Sequence, residues 1–267
     1  MASSPSDIIQ RHFVGSAFED GLYNSDNNAR EKACALKIMR SPHFQGLTLD
    51  SWYWRAVNIP LDLVDKSLQG DIDLLFAARR HELSDDGEHR FSPLYRSFEL
   101  KTSKVTRDGT VKSLKRNKMH KVQGQLEKLC QIGSPQVFLL DVFIVEAGYS
   151  NFNNEGMPPA AKEAVAFKHE FISRSNVGYG VFAIEQIEAM DEDSTGLLWP
   201  TATVQAATTR PIGPSFSAIV REIESYIQRI GGVGYKEVIT FWTECKSLTH
   251  IASRAEPVCI SCNRPLI

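Results

Sequence analysis

Two pairs of charged residues in the first half of the chain have types and spacings that could support phosphodiester chemistry. Asp71 and Asp73 are separated by one residue, and so are Glu99 and Lys101. Because side chains alternate across a strand, the members of each pair would share one face of their strand. If the two strands pair with each other, two or three carboxylates and one ammonium would meet at one end of a sheet.

This combination of groups defines the chemistry to expect. Carboxylate oxygens, completed by a backbone carbonyl and water, suit a hard cation such as Mg²⁺ or Mn²⁺. Such a cation can activate a water molecule and offset the charge that develops on a phosphorane oxygen. Lys101 can orient that water or help to deprotonate it, and its charge favours an anionic transition state. The set is sufficient for hydrolysis of a phosphodiester.

The elements that must position these residues follow from the hydrophobic pattern. Residues 71–77 alternate and then become apolar, and residues 95–102 alternate, so both stretches are predicted strands. The polar stretch 81–92 predicts the loop of a hairpin between them. A helix is predicted over 118–132, followed by a strand over 136–146 that is apolar enough to be buried on both faces.

The remaining pattern predicts further helices and one more strand. The sequence predicts helices over 7–18, 29–40, 158–173 and 215–230 and a strand over 178–188. Residues 52–57 are compatible with either a strand or a helix. The order of elements predicts an α/β fold with a central mixed β-sheet flanked by helices.

The sequence resembles the PD-(D/E)XK nuclease superfamily. The resemblance is carried by residues 70–75, Gly-Asp-Ile-Asp-Leu-Leu, and 98–102, Phe-Glu-Leu-Lys-Thr, and it extends over about 29–146. It implies a restriction endonuclease-like core of helix, three strands, helix and strand. It also implies that Asp73 and Glu99 bind Mg²⁺ or Mn²⁺, with Asp71 as an accessory or rival ligand, and that Lys101 completes the catalytic site.

The resemblance suggests further site residues, with one departure. Some members add a Glu from the first helix, which would be Glu31 here. Many place a Gln on the helix after the third strand; Gln125 is the first choice and Gln123 the second. The Tyr that often follows this Gln by four residues is absent, because Leu129 stands there. This departure weakens placement in the recombination exonuclease-like branch.

A basic stretch begins at the proposed site. Between residues 101 and 121 the chain has eight Lys or Arg and one Asp. Such a segment can follow phosphates and contribute affinity that is independent of base sequence. The residues expected to bind nucleic acid in this way are Lys104, Arg107, Lys112, Lys115, Arg116, Lys118 and Lys121. The alternative is an ordinary solvated loop and helix start.

The C-terminal region contains a possible zinc site. Cys245, His250, Cys259 and Cys262 provide four ligands within 18 residues, and the last two resemble one knuckle of a zinc ribbon. A site with four protein ligands would be structural. We therefore expect a nuclease-like domain over 1–232 and a C-terminal extension over 233–267 that is helical or forms a zinc knuckle. Incidental thiols in a loose tail, or a half-site completed by another chain, remain alternatives.

Composition excludes several classes of protein. The chain has 267 residues, with 30 Lys and Arg against 32 Asp and Glu and a formal net charge of −2. It is therefore not a uniformly basic nucleic-acid binder. No apolar run is long enough for a membrane span and no secretory signal is visible, so we expect a cytoplasmic protein that does not bind membranes. There is no Walker A sequence, so ATP hydrolysis by that route is not expected.

These observations support one main hypothesis and two alternatives. The main hypothesis is a metal-dependent nuclease, acting on DNA as an endonuclease; analogy with the superfamily suggests an effector of bacterial antiviral defence. The first alternative is a catalytically inactive nucleic-acid-binding or assembly subunit that keeps the nuclease fold and docks on a helicase or sensor. The second is a zinc-containing structural adaptor. A homodimer is a reasonable expectation for two-strand cleavage.

Overall fold

The computed structural model describes one α/β arrangement in most of the chain. The described residues are Glu31, Cys34, Ala35, Ile38 and 52–83, 89–112, 118–146, 157–185, 198–230, 237–242 and 246–250. Glu31, Cys34, Ala35 and Ile38 are all helical. Within these ranges the chain forms nine strands in one sheet and three complete helices.

The elements have the following bounds. The strands are β1 (Trp52–Pro60), β2 (Asp71–Leu83), β3 (His89–Val105), β4 (Val111–Lys112), β5 (Gln136–Val145), β6 (Gly178–Glu185), β7 (Leu198–Gln205), β8 (Glu237–Trp242) and β9 (Ser247–His250). The helices are α1 (Met119–Gln131), α2 (Pro159–Ile172) and α3 (Pro214–Arg229). A short 3₁₀ turn over Leu61–Leu63 follows β1.

The sheet is mixed. Its order is β7-β6-β5-β3-β2-β1-β8-β9, and β4 pairs with β3 outside this path. The first three strands form an antiparallel meander. On one side of it, β5 and β6 continue in parallel with β3, and β7 closes that edge in an antiparallel orientation. On the other side, β8 lies parallel to β1 and antiparallel to β9.

The sheet is covered on both faces, which explains why its central strands are apolar on both sides. One face packs against the three helices through residues such as Met119, Leu126 and Phe216. The other face packs against the helical residues Cys34, Ala35 and Ile38. The sheet therefore lies between two apolar layers and contributes side chains to both of them.

The contact between α1 and α3 depends on glycines. Gly133 has φ +87°, and a Cβ added there would lie 2.2 Å from the Cα of Gly213. This close approach lets the carbonyl of Ile132 accept the N–H of Phe216 at 3.0 Å. Since the first N–H groups of a helix have no partner within it, the end of α1 satisfies part of the start of α3.

The structure resolves the ambiguity at 52–57 and corrects the predicted hairpin loop. Residues 52–57 belong to the strand β1. The predicted hairpin is confirmed, but the extent of its loop over 81–92 is wrong, because β2 continues to Leu83 and β3 begins at His89, with Leu83 opposite His89. Residues 84–88 lie outside the described ranges. The strands extend through polar sequence because their backbones satisfy each other's hydrogen bonds regardless of side-chain type.

The predicted helical character of the C-terminal extension is also corrected. The described residues after 232 form β8 and β9, and β8 joins the main sheet beside β1. Its residues Val238, Ile239 and Thr240 are β-branched, which favours a strand. Strand β7 was not predicted either; it contains Pro200 and lies at an edge of the sheet, where proline is tolerated.

The other predicted helices compare as follows. The helices predicted over 118–132, 158–173 and 215–230 correspond to α1, α2 and α3. The helix predicted over 7–18 lies outside the described residues. No helix in the described part of the chain has both the length and the apolar character needed to cross a membrane.

Candidate active site

The two strands that carry the acidic and basic pairs run together and then separate. Their antiparallel register ends with Leu74 opposite Phe98. On one side of this point β2 remains paired with β1 as far as Asp71. On the other side β3 remains paired with β5 along the stretch that carries Glu99 and Lys101. The predicted site therefore lies where β2 and β3 cease to pair.

The carboxylate of Asp73 fills part of this separation. Its Oδ2 atom accepts the backbone N–H of Leu100 at 2.6 Å. Because β2 no longer offers a carbonyl at this position, the side chain takes the place of the missing strand partner. A charge-assisted hydrogen bond of this kind is short and directional. It fixes the Asp73 side chain against β3, next to Glu99.

Lys101 lies between two carboxylates. Its Nζ atom is 2.7 Å from Oε1 of Glu99 and 3.2 Å from Oε2 of Glu31. Glu99 is 2 % exposed and Lys101 is 7 % exposed. Glu31 belongs to the helical residues that cover the other face of the sheet, so the site draws groups from two separate elements. Glu31, which the resemblance suggested as a further site residue, therefore contacts Lys101 directly.

Like charges affect the ionisation of the acidic residues. Burial, and next the charge of Glu99, raise the pKa of Asp73 well above its ordinary value. Burial raises the pKa of Glu99 as well; the ammonium of Lys101 opposes this, whereas Glu31 and Asp71 add to it. Asp71 acts in the same direction on Asp73. Asp73 and Glu99 are therefore each close enough to other carboxylates to be repelled by them.

The same charges act on Lys101 in the opposite sense. Burial alone would lower the pKa of the Lys101 ammonium, but the attraction of Glu99, Glu31 and Asp73 outweighs it and raises that pKa. The raised pKa favours the protonated form of Lys101. A charged lysine among carboxylates can orient an anionic group or a water molecule, which is the role that the sequence analysis assigned to it.

The residues suit a divalent cation in type but are not preassembled around one. Carboxylate oxygens are the ligands that Mg²⁺ and Mn²⁺ prefer, and mutual repulsion between buried carboxylates favours an added cation. Yet in the described part of the chain no three His, Cys, Asp or Glu side chains are arranged to hold a metal ion. The ammonium of Lys101 contacts the Glu99 oxygen instead. The donor set fits a hard cation, but binding would require some rearrangement.

The structure separates the two glutamines considered for the site. Gln123 donates from Nε2 to the carbonyl of Phe171 in α2 at 3.3 Å, so it points away from β2. Gln125 shares a flank of α1 with Lys128, three residues further on. Lys128 reaches the carbonyl of Gln69 at 3.5 Å, two residues before Asp71. Gln125 is therefore on the side of α1 that approaches the start of β2.

Lys128 was not among the residues selected from the sequence. It is exposed, and with Lys118, Lys121 and Gln125 it follows one flank of α1 at spacings of three and four residues. We call these four residues the α1 flank. Helical periodicity carried forward from Lys121 could have identified Lys128. The basic stretch between 101 and 121 ends too early to include it.

The described residues of the basic stretch differ in burial and lie on different elements. Lys101 is buried in the site, and Lys104 is half-buried. Arg107 and Lys112 are exposed on either side of the turn between β3 and β4, whereas Lys118 and Lys121 are exposed on α1. Lys115 and Arg116 lie outside the described residues. Those exposed basic residues that the structure describes thus form two groups, one at the β3–β4 turn and one on the α1 flank.

The possible zinc ligands are described only in part. His250 is the last residue of β9 and pairs with Ile239. Cys245, Cys259 and Cys262 lie outside the described residues. The zinc site therefore remains a prediction.

A second buried polar cluster lies next to the candidate site. Asp141 of β5 is the register neighbour of Lys101. Its Oδ2 atom accepts from Nζ of Lys168 at 2.5 Å and from the hydroxyl of Tyr179 at 3.2 Å. Ser103 lies 3.3 Å from Nζ of Lys168. The sequence showed an acid within an otherwise apolar strand, but it did not indicate which residues would meet it.

Comparison with known proteins gives no match that could assign a function to this chain. No protein-family model, curated protein or solved structure matches the chain. A functional assignment therefore depends on the geometry and chemistry of the residues themselves.

Proposed function

We propose that this protein is a divalent-metal-dependent nuclease that hydrolyses phosphodiester bonds, with DNA as its substrate and an endonucleolytic mode of cutting. The observation that carries the proposal is the convergence of Asp73, Glu99 and Lys101 where β2 and β3 separate. A half-buried acid, a buried acid and a buried lysine at one point of a sheet are costly to fold. Such a cost is commonly retained where a site needs those groups for function.

The order of elements supports the restriction endonuclease-like part of the proposal. That core was expected to follow the order helix, three strands, helix and strand. The described order is the helical residues Glu31, Cys34, Ala35 and Ile38, then β1, β2 and β3, then α1 and β5, with the short β4 inserted. The site lies on the second and third of these strands, where the resemblance places it.

The chain's own residues divide the work as follows. Asp73 and Glu99 would hold the cation, with Asp71 and Glu31 close enough to assist. A bound Mg²⁺ or Mn²⁺ would supply an activated water and offset charge on the phosphate. Lys101, as a protonated ammonium, would orient the attacking water and the scissile phosphate. Gln125 would contact the same water or phosphate from α1.

The α1 flank supports a nucleic-acid substrate. Lys118, Lys121 and Lys128 are exposed, and the flank extends from residue 118, just before α1, to residue 128, a length of about 15 Å. This length is sufficient to follow several phosphates of one strand, and its Lys128 end approaches the start of β2. The substrate backbone would therefore lie along α1 and enter the site beside Gln125. Arg107 and Lys112 would contact a more distant part of the duplex.

The test is cleavage by the purified full chain. Supercoiled plasmid, single-stranded DNA and RNA are incubated with Mn²⁺, Mg²⁺ or EDTA. The proposal predicts metal-dependent cutting of DNA, which Glu99→Gln and Lys101→Ala each reduce by at least about 100-fold. Lys162→Ala, on the exposed surface of α2, is the matched control and should cut at the wild-type rate. Circular dichroism of each variant confirms that it is folded.

One observation favours a second candidate function. In the described residues no metal site is preassembled, and Lys101 already neutralises Glu99. A nuclease-fold subunit without activity, which binds nucleic acid and assembles with a partner, would also show this. If the wild-type chain shifts DNA equally in EDTA and in Mn²⁺ but never cuts it, the second candidate replaces the first. Unchanged cutting by Lys101→Ala would remove Lys101 from the mechanism.

A further inference from the structure

Lys101 occupies the position from which a cation would act on the carboxylates. Its Nζ atom is 2.7 Å from Glu99 and 3.2 Å from Glu31, and its side chain is 9 % exposed. A buried ammonium is stable only when anions compensate for its lost hydration. Here two carboxylates compensate for it: that of Glu99 on β3 and that of Glu31, one of the helical residues on the other face of the sheet.

The surrounding charge exceeds what one ammonium can balance. Glu31, Asp71, Asp73 and Glu99 all influence one another's ionisation or that of Lys101. Among the described residues, these four carboxylates therefore lie near one ammonium, that of Lys101. Lys101 reduces the repulsion in the absence of another cation, but it does not remove it.

A divalent cation and Lys101 cannot both take the same place. Mg²⁺ binds carboxylate oxygens at about 2.0–2.1 Å. The ammonium contacts the Oε1 atom of Glu99, and a cation bound to that carboxylate would lie only a few ångströms from it. Two positive charges at that separation in a poorly hydrated site repel strongly. This repulsion favours movement of the ammonium away from Glu99 when a cation binds that carboxylate.

We propose that the Lys101 ammonium is a built-in counter-cation that closes the metal-free site and that a divalent cation must displace from Glu99. This inference rests on the proposed function, because it assumes that the carboxylates bind metal. Glu31 then has a defined role as the second anion that retains Lys101 when Glu99 turns to the cation. Lys101 therefore lowers the affinity for metal while it preserves the site in the absence of metal.

The first experiment measures Mn²⁺ affinity by titration calorimetry on the full chain. Lys101→Met keeps most of the side-chain volume and removes the charge, so it should bind Mn²⁺ at least tenfold more tightly than wild type. The matched control Lys162→Met removes a charge from the exposed face of α2 and should change the affinity less than twofold. Equal or weaker binding by folded Lys101→Met overturns the inference and leaves the nuclease proposal intact.

The second experiment uses the wild-type chain and does not depend on how Lys101→Met folds. Lys101 and Lys168 are buried lysines of the described residues. Lysine labelled with ¹³C at Cε, assigned with Lys101→Arg and Lys168→Arg, should show the Lys101 signal shifting on titration with Mg²⁺ while the Lys168 signal stays in place. If Mg²⁺ binds and the Lys101 signal does not move, displacement is wrong. If neither Mn²⁺ nor Mg²⁺ binds at all, the metal-dependent function fails together with the inference.

Discussion

Two clusters of buried charge lie side by side in this protein, and they differ in balance. Around Asp141, one carboxylate meets one ammonium, that of Lys168, and the hydroxyls of Tyr179 and Ser103 complete the hydrogen bonds. Burial, and next the negative charge of Asp141, raise the pKa of Tyr179, so its phenol remains a neutral donor. This cluster is compact, and its charges are equal.

The cluster around Lys101 is built from the same residue types without that equality. Among its described residues several carboxylates share the ammonium of Lys101, and the pKa values of Asp73 and Glu99 are raised by burial and by neighbouring acids. The difference shows how to separate a structural ion pair from a candidate site. Both are buried and both contain Lys and Asp or Glu, but only the unbalanced one retains a reason to attract a cation.

The largest expected effect on the free energy of unfolding comes from removing the negative charge of the cluster around Asp141. Asp141→Asn leaves Lys168 charged and buried without its anion, which should lower the free energy of unfolding by about 3–5 kcal/mol. The measurement is urea unfolding followed by circular dichroism, in EDTA.

The same acid-to-amide change in the other cluster provides the contrast. In Asp73→Asn, the amide oxygen can still accept the N–H of Leu100, and the repulsion with Glu99 is removed. Its free energy of unfolding in EDTA should therefore stay within about 1 kcal/mol of wild type. Equal losses for Asp141→Asn and Asp73→Asn would show that the two clusters do not differ in the way described.

An intermediate effect is expected from added metal. Mn²⁺ at about 100 times its dissociation constant should stabilise the wild-type chain by about 2.7 kcal/mol, because it binds only the folded state. Asp141→Asn should show the same increase from its lower starting point. Glu99→Gln should show little, since it lacks an anionic ligand. A full increase in Glu99→Gln would place the Mn²⁺ elsewhere in the chain.

The smallest effect tests whether the clusters are independent. Tyr179→Phe removes one hydrogen bond to Asp141 and should cost about 1 kcal/mol in urea unfolding. Mn²⁺ affinity, measured by calorimetry, should remain within twofold of wild type. A change of tenfold would mean that the balanced cluster helps to position Lys101 through the register contact between β3 and β5.

Local pattern was sufficient to predict the strands and helices near the site. Residues 71–77 and 95–102 alternate because each side of their strand faces a different layer, and that period is visible without a structure. The extent of the β2–β3 hairpin was not visible, since residues 81–92 are polar and their pairing depends on backbone contacts. Strands β7, β8 and β9 were missed because their local pattern is weak: β7 contains Pro200, β9 has four residues, and β8 is defined by its pairing with β1 and β9.

The candidate catalytic and metal-binding residues of the site were also predictable in part. Asp73, Glu99 and Lys101 were identified from type and spacing, and the structure brings them together. The sequence alone could not decide between Gln125 and Gln123. They lie on different sides of α1, and only the packing of α1 in the fold shows which side approaches the start of β2. Lys128 was overlooked because helical spacing extends its flank beyond the basic stretch.

The sequence by itself determined which groups are available: acids at alternating positions of one predicted strand, an acid and a lysine on the next, and a basic helix after them. These are local properties, set by side-chain type and by the period of a strand or helix. Only the tertiary structure decided the partners. Lys101 meets Glu31 from 70 residues away, and Asp141 meets Lys168 from 27 residues away. Burial then made those pairings decisive, because a charge removed from water is governed by whichever charges the fold places beside it.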